Sequence, residues 1–352
     1  MLDLPHSKAG SMPNPVLVDI SRSGWLESVH RGAVAITDAQ GAVVWSAGGI
    51  DRPVFARSSL KMLQALPLVE SGAADAFGVS PAELTLACAS HSAEPVHMEA
   101  VTAWLQRLDC DEACLACGAH VPISEAAART LAASGAAPTR LHNNCSGKHA
   151  GFLTLARRLG APIEGYERPD HPVQRQVLAA IGEMAGVDMA ALPLGIDGCA
   201  APAPALPLRA LATAVARIAD PSRLSPGRAQ AARRLDAAVR AHPRLVAGTG
   251  RACTTIIEAA EGAISIKGGA EGVYVAVLSG LGLGVALKID DGAGRAAETA
   301  IAALLAALGV VNAAQPAIAA LIDAPILNTR GETVGARRPS AWLAATAPAA
   351  FA

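Results

Sequence analysis

Residues 26–48 alternate apolar and polar positions around Asp38-Ala39-Gln40-Gly41, which predicts a β-hairpin. From Ser58 to about Ser71 the spacing turns helical, with Leu60, Leu63, Leu66 and Leu68 among the apolar positions. Residues 81–245 read as largely helical with Pro-rich loops such as Pro193–Pro207. Near Gly262 the period returns to that of strands, at Ala263–Ile266, Val273–Leu278 and Leu283–Ile289, the last two joined at Gly280-Leu281-Gly282. A helix over Arg295–Leu308 follows. Strands at both ends thus enclose a helical middle. The simplest packing is an α/β (α+β-like) fold, in which N- and C-terminal strands join in one antiparallel sheet with helices packed around it. We expect a loose leader over 1–15 and a single catalytic domain over 16–352, with room for two lobes through a helical insertion at about 81–245.

Composition narrows the possible functions. The chain has 352 residues and is 52% hydrophobic, enough for a large core. A net charge of -1 gives no electrostatic footprint for nucleic acid or anionic membrane, and 3% aromatic residues give no base-stacking platform. Met1–Pro15 lacks the apolar run of a signal peptide, and Val273–Leu287 is too short and too glycine-interrupted to span a bilayer. A cytoplasmic location is therefore expected. Seven scattered cysteines do not suggest a disulfide framework.

The chemistry-bearing residues begin at Ser58-Ser59-Leu60-Lys61. Ser58 and Lys61 stand at i and i+3 and share a helix face. A serine hydroxyl attacks only once a base takes its proton, and lysine serves as that base when burial, a second cation or a helix N-terminus lowers its pKa. Ser59 has Met62 at +3, so the register selects Ser58. Alone, S-x-x-K equally describes an N-capped surface helix. Penicillin-recognising enzymes combine S-x-x-K with a serine-bearing middle motif and a late K-T-G on a strand. Here Ser90 is available for the middle position and Lys267-Gly268-Gly269 ends a predicted strand, but no S-D-N triplet occurs.

A second group is His142-Asn143-Asn144-Cys145-Ser146-Gly147-Lys148-His149, with Asp197-Gly198-Cys199 further on. Cys145 and Cys199 offer two thiolates, and either Lys148 or His149 a nitrogen, with His149 the chemically ordinary zinc ligand. The bland alternative is two buried cysteines beside polar loops. Cys110, Cys114 and Cys117 have the spacing of a radical-type iron–sulfur motif, but acidic neighbours and helical flanks argue against a cluster.

These segments occur together and in order, with Ala89-Ser90-His91-Ser92, Gly248-Thr249-Gly250-Arg251 and Lys267-Gly268-Gly269-Ala270-Glu271-Gly272. The chain resembles the Rhizobium-type L-asparaginase (asparaginase II) family from about Val16 to beyond Leu308, most specifically in Asn143–His149. The resemblance implies a serine β-lactamase/glutaminase-like fold, a homodimer, and hydrolysis of asparagine to aspartate and ammonia. It also implies two Ser–Lys pairs, Ser58 with Lys61 and Ser90 with Lys267, and a zinc site of Cys145, Lys148 and Cys199, which replaces His149 as the expected ligand. The substrate-holding candidates are Asp197, Asn144, His149 and Arg251. Neither Cys253 nor the Cys110 group receives a role. A glutaminase or a penicillin-binding or β-lactamase-like serine hydrolase is the nearer alternative, and a non-enzymatic metal- or amino-acid-binding protein the remote one.

Overall fold

The structure is a computed structural model describing residues 13–351. Residues 1–12 of the expected leader lie outside the described residues. Asn14, also assigned to that leader, is pinned: its Oδ1 accepts from Gly49 N and its Nδ2 donates to Asp290 Oδ1, each at 2.8 Å.

Eleven strands are described: β1 (Val16–Arg22), β2 (Trp25–Asp38), β3 (Val43–Ala47), β4 (Pro53–Phe55), β5 (Leu194–Ile196), β6 (Pro202–Pro207), β7 (Ser265–Gly269), β8 (Val273–Leu278), β9 (Leu283–Ile289), β10 (Ala324–Leu327) and β11 (Thr333–Pro339). Eight form a sheet ordered β10-β11-β1-β2-β9-β8-β7, with β3 beside β2, and every pairing is antiparallel. The expected union of terminal strands is therefore present. The long β2 makes it possible: Trp25–Arg31 pair with β1, while Gly32–Asp38 pair with β9. The predicted hairpin turn is also formed, with Asp38 Oδ1 accepting from Gln40 N and Ala42 N at 2.9 Å.

Every residue of β8 is buried, so both faces of the sheet are covered at that strand. Helices Leu208–Ala219 and Gly294–Ala307 both pack on β8 and β9. The first comes so close that a Cβ at Gly284 would overlap Ala212 O and Ala216 N, so only glycine fits there. The helical middle follows ordinary start signals. Ser80 and Glu83 form a capping box before Pro81–Cys88, and His171 caps Pro172–Ala185.

Two expectations change. The strand read at Ala263–Ile266 is shifted to Ser265–Gly269, which places Lys267 inside β7 instead of just past its end. The Pro-rich loop Pro193–Pro207 contains β5 and β6, and these form a second sheet ordered β4-β6-β5. Prolines 202 and 204 alternate with Ala203 and Ala205, so ladder donors survive: Ala205 N donates to Pro193 O at 2.9 Å. This small sheet positions the site, because β4 leads into Ser58 while β5 and β6 flank Asp197–Cys199.

Candidate active site

The chain leaves β4, passes Ala56, and turns at Arg57 into the short 3-10 helix Arg57–Leu60, which continues as the α-helix Lys61–Gln64. Arg57 holds a left-handed backbone, φ 52°, uncommon for a side chain of its kind. Its Nε donates to Asp197 Oδ1 at 2.7 Å, tying the turn to the loop that carries Cys199. Ser59 is buried and its Oγ donates to Ala56 O at 2.6 Å, a structural use of that hydroxyl. Ser58 is half-buried against β7. A Cβ at Gly269 would stand 2.9 Å from Ala56 O, 3.1 Å from Ser59 N and 3.4 Å from Ser58 N, so glycine is what lets the strand approach the turn.

Lys61 is fully buried. Its Nζ donates to Ala89 O, to Ser90 Oγ at 3.0 Å and to Asn144 O at 3.5 Å. Lys267 Nζ reaches the same Ser90 Oγ at 2.8 Å and also Gly268 O. One hydroxyl therefore stands between two buried amines. The expected Ser90–Lys267 pair is brought together. Lys61, expected to pair with Ser58, makes its hydroxyl contact with Ser90 and none with Ser58 among the described residues. Burial, then the charges of Lys61 and Arg251, pull Lys267 down to about 7. Lys267 is thus poised to gain or lose a proton near neutrality.

The second group assembles at the start of the helix Ser146–Leu159, with Cys145 in the capping position. Lys148 Nζ lies 3.0 Å from Cys199 Sγ, Cys145 Sγ 3.0 Å from Asn144 Oδ1, and Cys199 Sγ 3.7 Å from Asp197 Oδ2. The Cys145 hydrogen bond, Lys148 and His149 favour the Cys199 thiolate against the effect of burial. The bond to Cys199 and burial hold Cys145 well above the ordinary thiol value. Burial disfavours the Lys148 charge, but the neighbouring sulfurs outweigh it and raise its pKa. Burial lowers His149. His149 Nδ1 lies 2.7 Å from Tyr166 Oη, while its Nε2 is buried without an ordinary hydrogen-bond partner among the described residues. No group of three His, Cys, Asp or Glu side chains suited to a metal occurs among the described residues. The three residues expected to hold zinc are nevertheless brought together around Cys199 Sγ, and of these the two cysteine sulfurs suit that ion.

Asn144 joins the two groups: its carbonyl faces Lys61 and accepts from His91 N at 3.2 Å, while its side chain meets Cys145. Arg251 precedes the helix Ala252–Ala259, and its Nη1 is buried without a partner among the described residues. A family model for L-asparaginase II matches residues 18–339. The chain belongs to the L-asparaginase II family. No curated protein matches the chain. Membership in this asparaginase family places the protein among hydrolases that act on amides, and every candidate site residue lies within the matched span.

Sequence reasoning missed several groups that shape this asparaginase site. Arg57 directly precedes Ser58, outside the S-x-x-K spacing that marks the serine. His91 is buried, with Nε2 2.8 Å from Ser146 Oγ and its ring stacked on His97. Cys253 Sγ accepts from Gly268 N at 3.2 Å, next to Lys267. Tyr166 lies in Gly165–Pro169, where no spacing or motif marks it. A cavity of about 600 Å³ opens near Glu94, Met98, Leu131 and Thr249, but its walls are mostly apolar and include none of the Ser–Lys residues. It offers little to an amino-acid zwitterion. Among the described residues no helix is long and apolar enough to cross a membrane.

Proposed function

We propose that the protein hydrolyses L-asparagine to L-aspartate and ammonia through an acyl-enzyme on Ser58. The observation that carries this reading is the buried relay Lys61–Ser90–Lys267 beside the Ser58 turn. Lys61 in its ammonium form donates to Ser90 Oγ. Near neutrality Lys267 has a free lone pair for the Ser90 proton. Passing one proton along this line leaves Lys61 neutral and Lys267 charged, without adding net charge to the pocket. Neutral Lys61 then takes the Ser58 proton as Oγ bonds to the side-chain carboxamide carbon. Backbone N–H groups where Gly269 approaches Ser58 stabilise the oxyanion. The returning proton leaves with ammonia, and water hydrolyses the ester by the reverse route.

Asp197, Asn144, His149 and Arg251 surround the substrate and hold its amino and carboxylate ends. Cys145, Lys148 and Cys199 would hold zinc. When bound, the ion supplies a Lewis-acidic anchor for a substrate end. A single catalytic domain over 16–352 and a cytoplasmic location, both expected from the sequence pattern, complete this reading, with a homodimer that the family resemblance implies.

Purified protein is expected to release ammonia from asparagine faster than from glutamine, with no turnover of a chromogenic β-lactam. One methylene separates the two amides, so a modest preference is expected, on the order of 10–200-fold. Glutamine turnover exceeding that of asparagine, or β-lactam turnover, would select the rival hydrolase. Ligand binding without any turnover would select the non-enzymatic reading.

A further inference from the structure

The segments that carry Ser90 and Arg251 run side by side. Residues 89–94 and 247–251 belong to no helix or strand, so single hydrogen bonds hold them together in place of a ladder. Ser90 N donates to Val246 O at 2.9 Å, and Ser92 Oγ donates to Ala247 O. His97 Nδ1 accepts from Glu94 N at 3.1 Å, which leaves the ring proton on Nε2 to donate to Arg244 O at 3.1 Å. Glu94 makes the last link. Its Oε1 accepts from Thr249 N at 2.7 Å, and its Oε2 accepts from Thr249 Oγ1 at 3.0 Å. Both bonds are charge-assisted. Arg244 Nη2 lies 3.6 Å from the same Oε2, but its side chain is 63% exposed, so that ion pair adds little.

The backbone around this link is unusual. Ala93, just before Glu94, holds φ 58°, a left-handed conformation that surrounding contacts must impose on a residue with a side chain. Thr249 is flanked by Gly248 at φ 115° and Gly250 at φ 71°. A Cβ at Gly248 would overlap Ser92 Oγ and Glu94 Oε1, so glycine is what admits the carboxylate. Glycines on both sides leave Thr249 free to swing unless something fixes it. Two residues on, Arg251 opens the helix Ala252–Ala259, and its buried Nη1 has no hydrogen-bond partner among the described residues. An unfilled guanidinium donor suits a carboxylate. We propose that Glu94 is a positioning residue: by holding Thr249 at both N–H and hydroxyl, it fixes this loop and sets Arg251 against the substrate carboxylate. The proposal rests on the reading of Arg251 as a substrate-holding group.

A double-mutant cycle on the KM for asparagine tests it. Glu94→Ala is expected to raise KM about tenfold and to leave kcat within about threefold. Glu94→Gln keeps an oxygen for Thr249 N and an amide N–H for Thr249 Oγ1, so it should recover most of that loss. In an Arg251→Ala background, Glu94→Ala should add nothing further, because no guanidinium remains to be placed. Additive losses would overturn the proposal alone. So would an unchanged KM in folded Glu94→Ala, or a kcat that falls while KM holds. Wild-type KM in Arg251→Ala would overturn the reading of Arg251 and the proposal with it. If Glu94→Ala does not fold, Thr249→Val replaces it in the cycle, since it removes the hydroxyl bond and keeps the N–H bond. It should raise KM about threefold in the wild-type background and not at all beside Arg251→Ala, and an unchanged KM in the wild-type background would overturn the proposal.

Discussion

Lys267 Nζ stands 2.8 Å from Ser90 Oγ, in a buried setting where desolvation and the charge of Lys61 bring the amine down to about 7. The relay needs Lys267 neutral to accept a proton. Below pH 7, kcat/KM is therefore expected to rise about tenfold per pH unit and to level off above it. Lys267→Arg keeps a cation that does not titrate in this range, so its activity should fall at least about a thousandfold and lose this inflection. A pH–rate profile with the same inflection in Lys267→Arg would remove Lys267 from the relay.

The same shift affects stability. The folded-state value of about 7 lies below the ordinary 10.5, so between these pH values the unfolded chain binds a proton that the folded chain does not. Stability therefore rises with pH across that window, and the burial cost is greatest below pH 7. Lys267→Met is expected to be more stable than wild type at pH 6, by on the order of a few kcal/mol, and the gain should shrink toward pH 10. Denaturant midpoints at pH 6 and pH 9 measure the difference. An equal gain at both would argue that Lys267 stays charged throughout.

Ser58 and Ser59 are adjacent but used differently. Ser59 Oγ is committed to Ala56 O, whereas Ser58 faces the Gly269 edge of β7. Ser58→Ala should lower kcat at least about a thousandfold with little change in unfolding midpoint. Ser59→Ala should keep most activity and lose about 1 kcal/mol of stability with its hydrogen bond. Single-turnover ammonia release and chemical denaturation of both variants would show whether the register has been assigned correctly.

Gly269 tests the geometry around that serine. A Cβ there would press on Ala56 O and Ser59 N and push the strand away from the turn. Gly269→Ala is expected to lower kcat/KM about a hundredfold, the usual cost of a misplacement near 1 Å. The loss should fall mainly on kcat if substrate anchoring lies elsewhere. Wild-type kinetics in Gly269→Ala would mean that the approach of β7 to Ser58 does not matter.

Parts of this arrangement were legible in the sequence because their signals are local. The limits of β8 and β9 and the Asp38–Gly41 turn follow from alternation and turn chemistry. Ser58, Ser90 and Lys267 stood out through spacing and order. What stayed hidden depends on long-range pairing. β6 looked like a proline-rich loop because its partners, β4 and β5, are three residues each and carry no pattern of their own. Strands β10 and β11 were not foreseen, since they acquire their place only by pairing with β1. The contact of Lys61 with Ser90 crosses 29 positions, so i, i+3 spacing pointed to Ser58 alone. Arg57 and Tyr166 reach the site by hydrogen bonds to Asp197 and His149, which no motif connects to them.

Cys145, Lys148 and Cys199 lie apart from the relay, with Asn144 between them, so the two groups should separate kinetically. If the thiol cluster anchors the substrate, its loss should weaken binding without disabling proton transfer. Dialysis against a strong chelator, or Cys145→Ser, is expected to raise KM for asparagine at least about tenfold while leaving kcat at saturation within about threefold. Zinc content by atomic absorption should fall in parallel with the rise in KM, and restoring zinc should rescue wild type but not Cys145→Ser. A kcat that collapses while KM holds would place the metal in the chemical step, and the division of labour between relay and cluster would have to be redrawn.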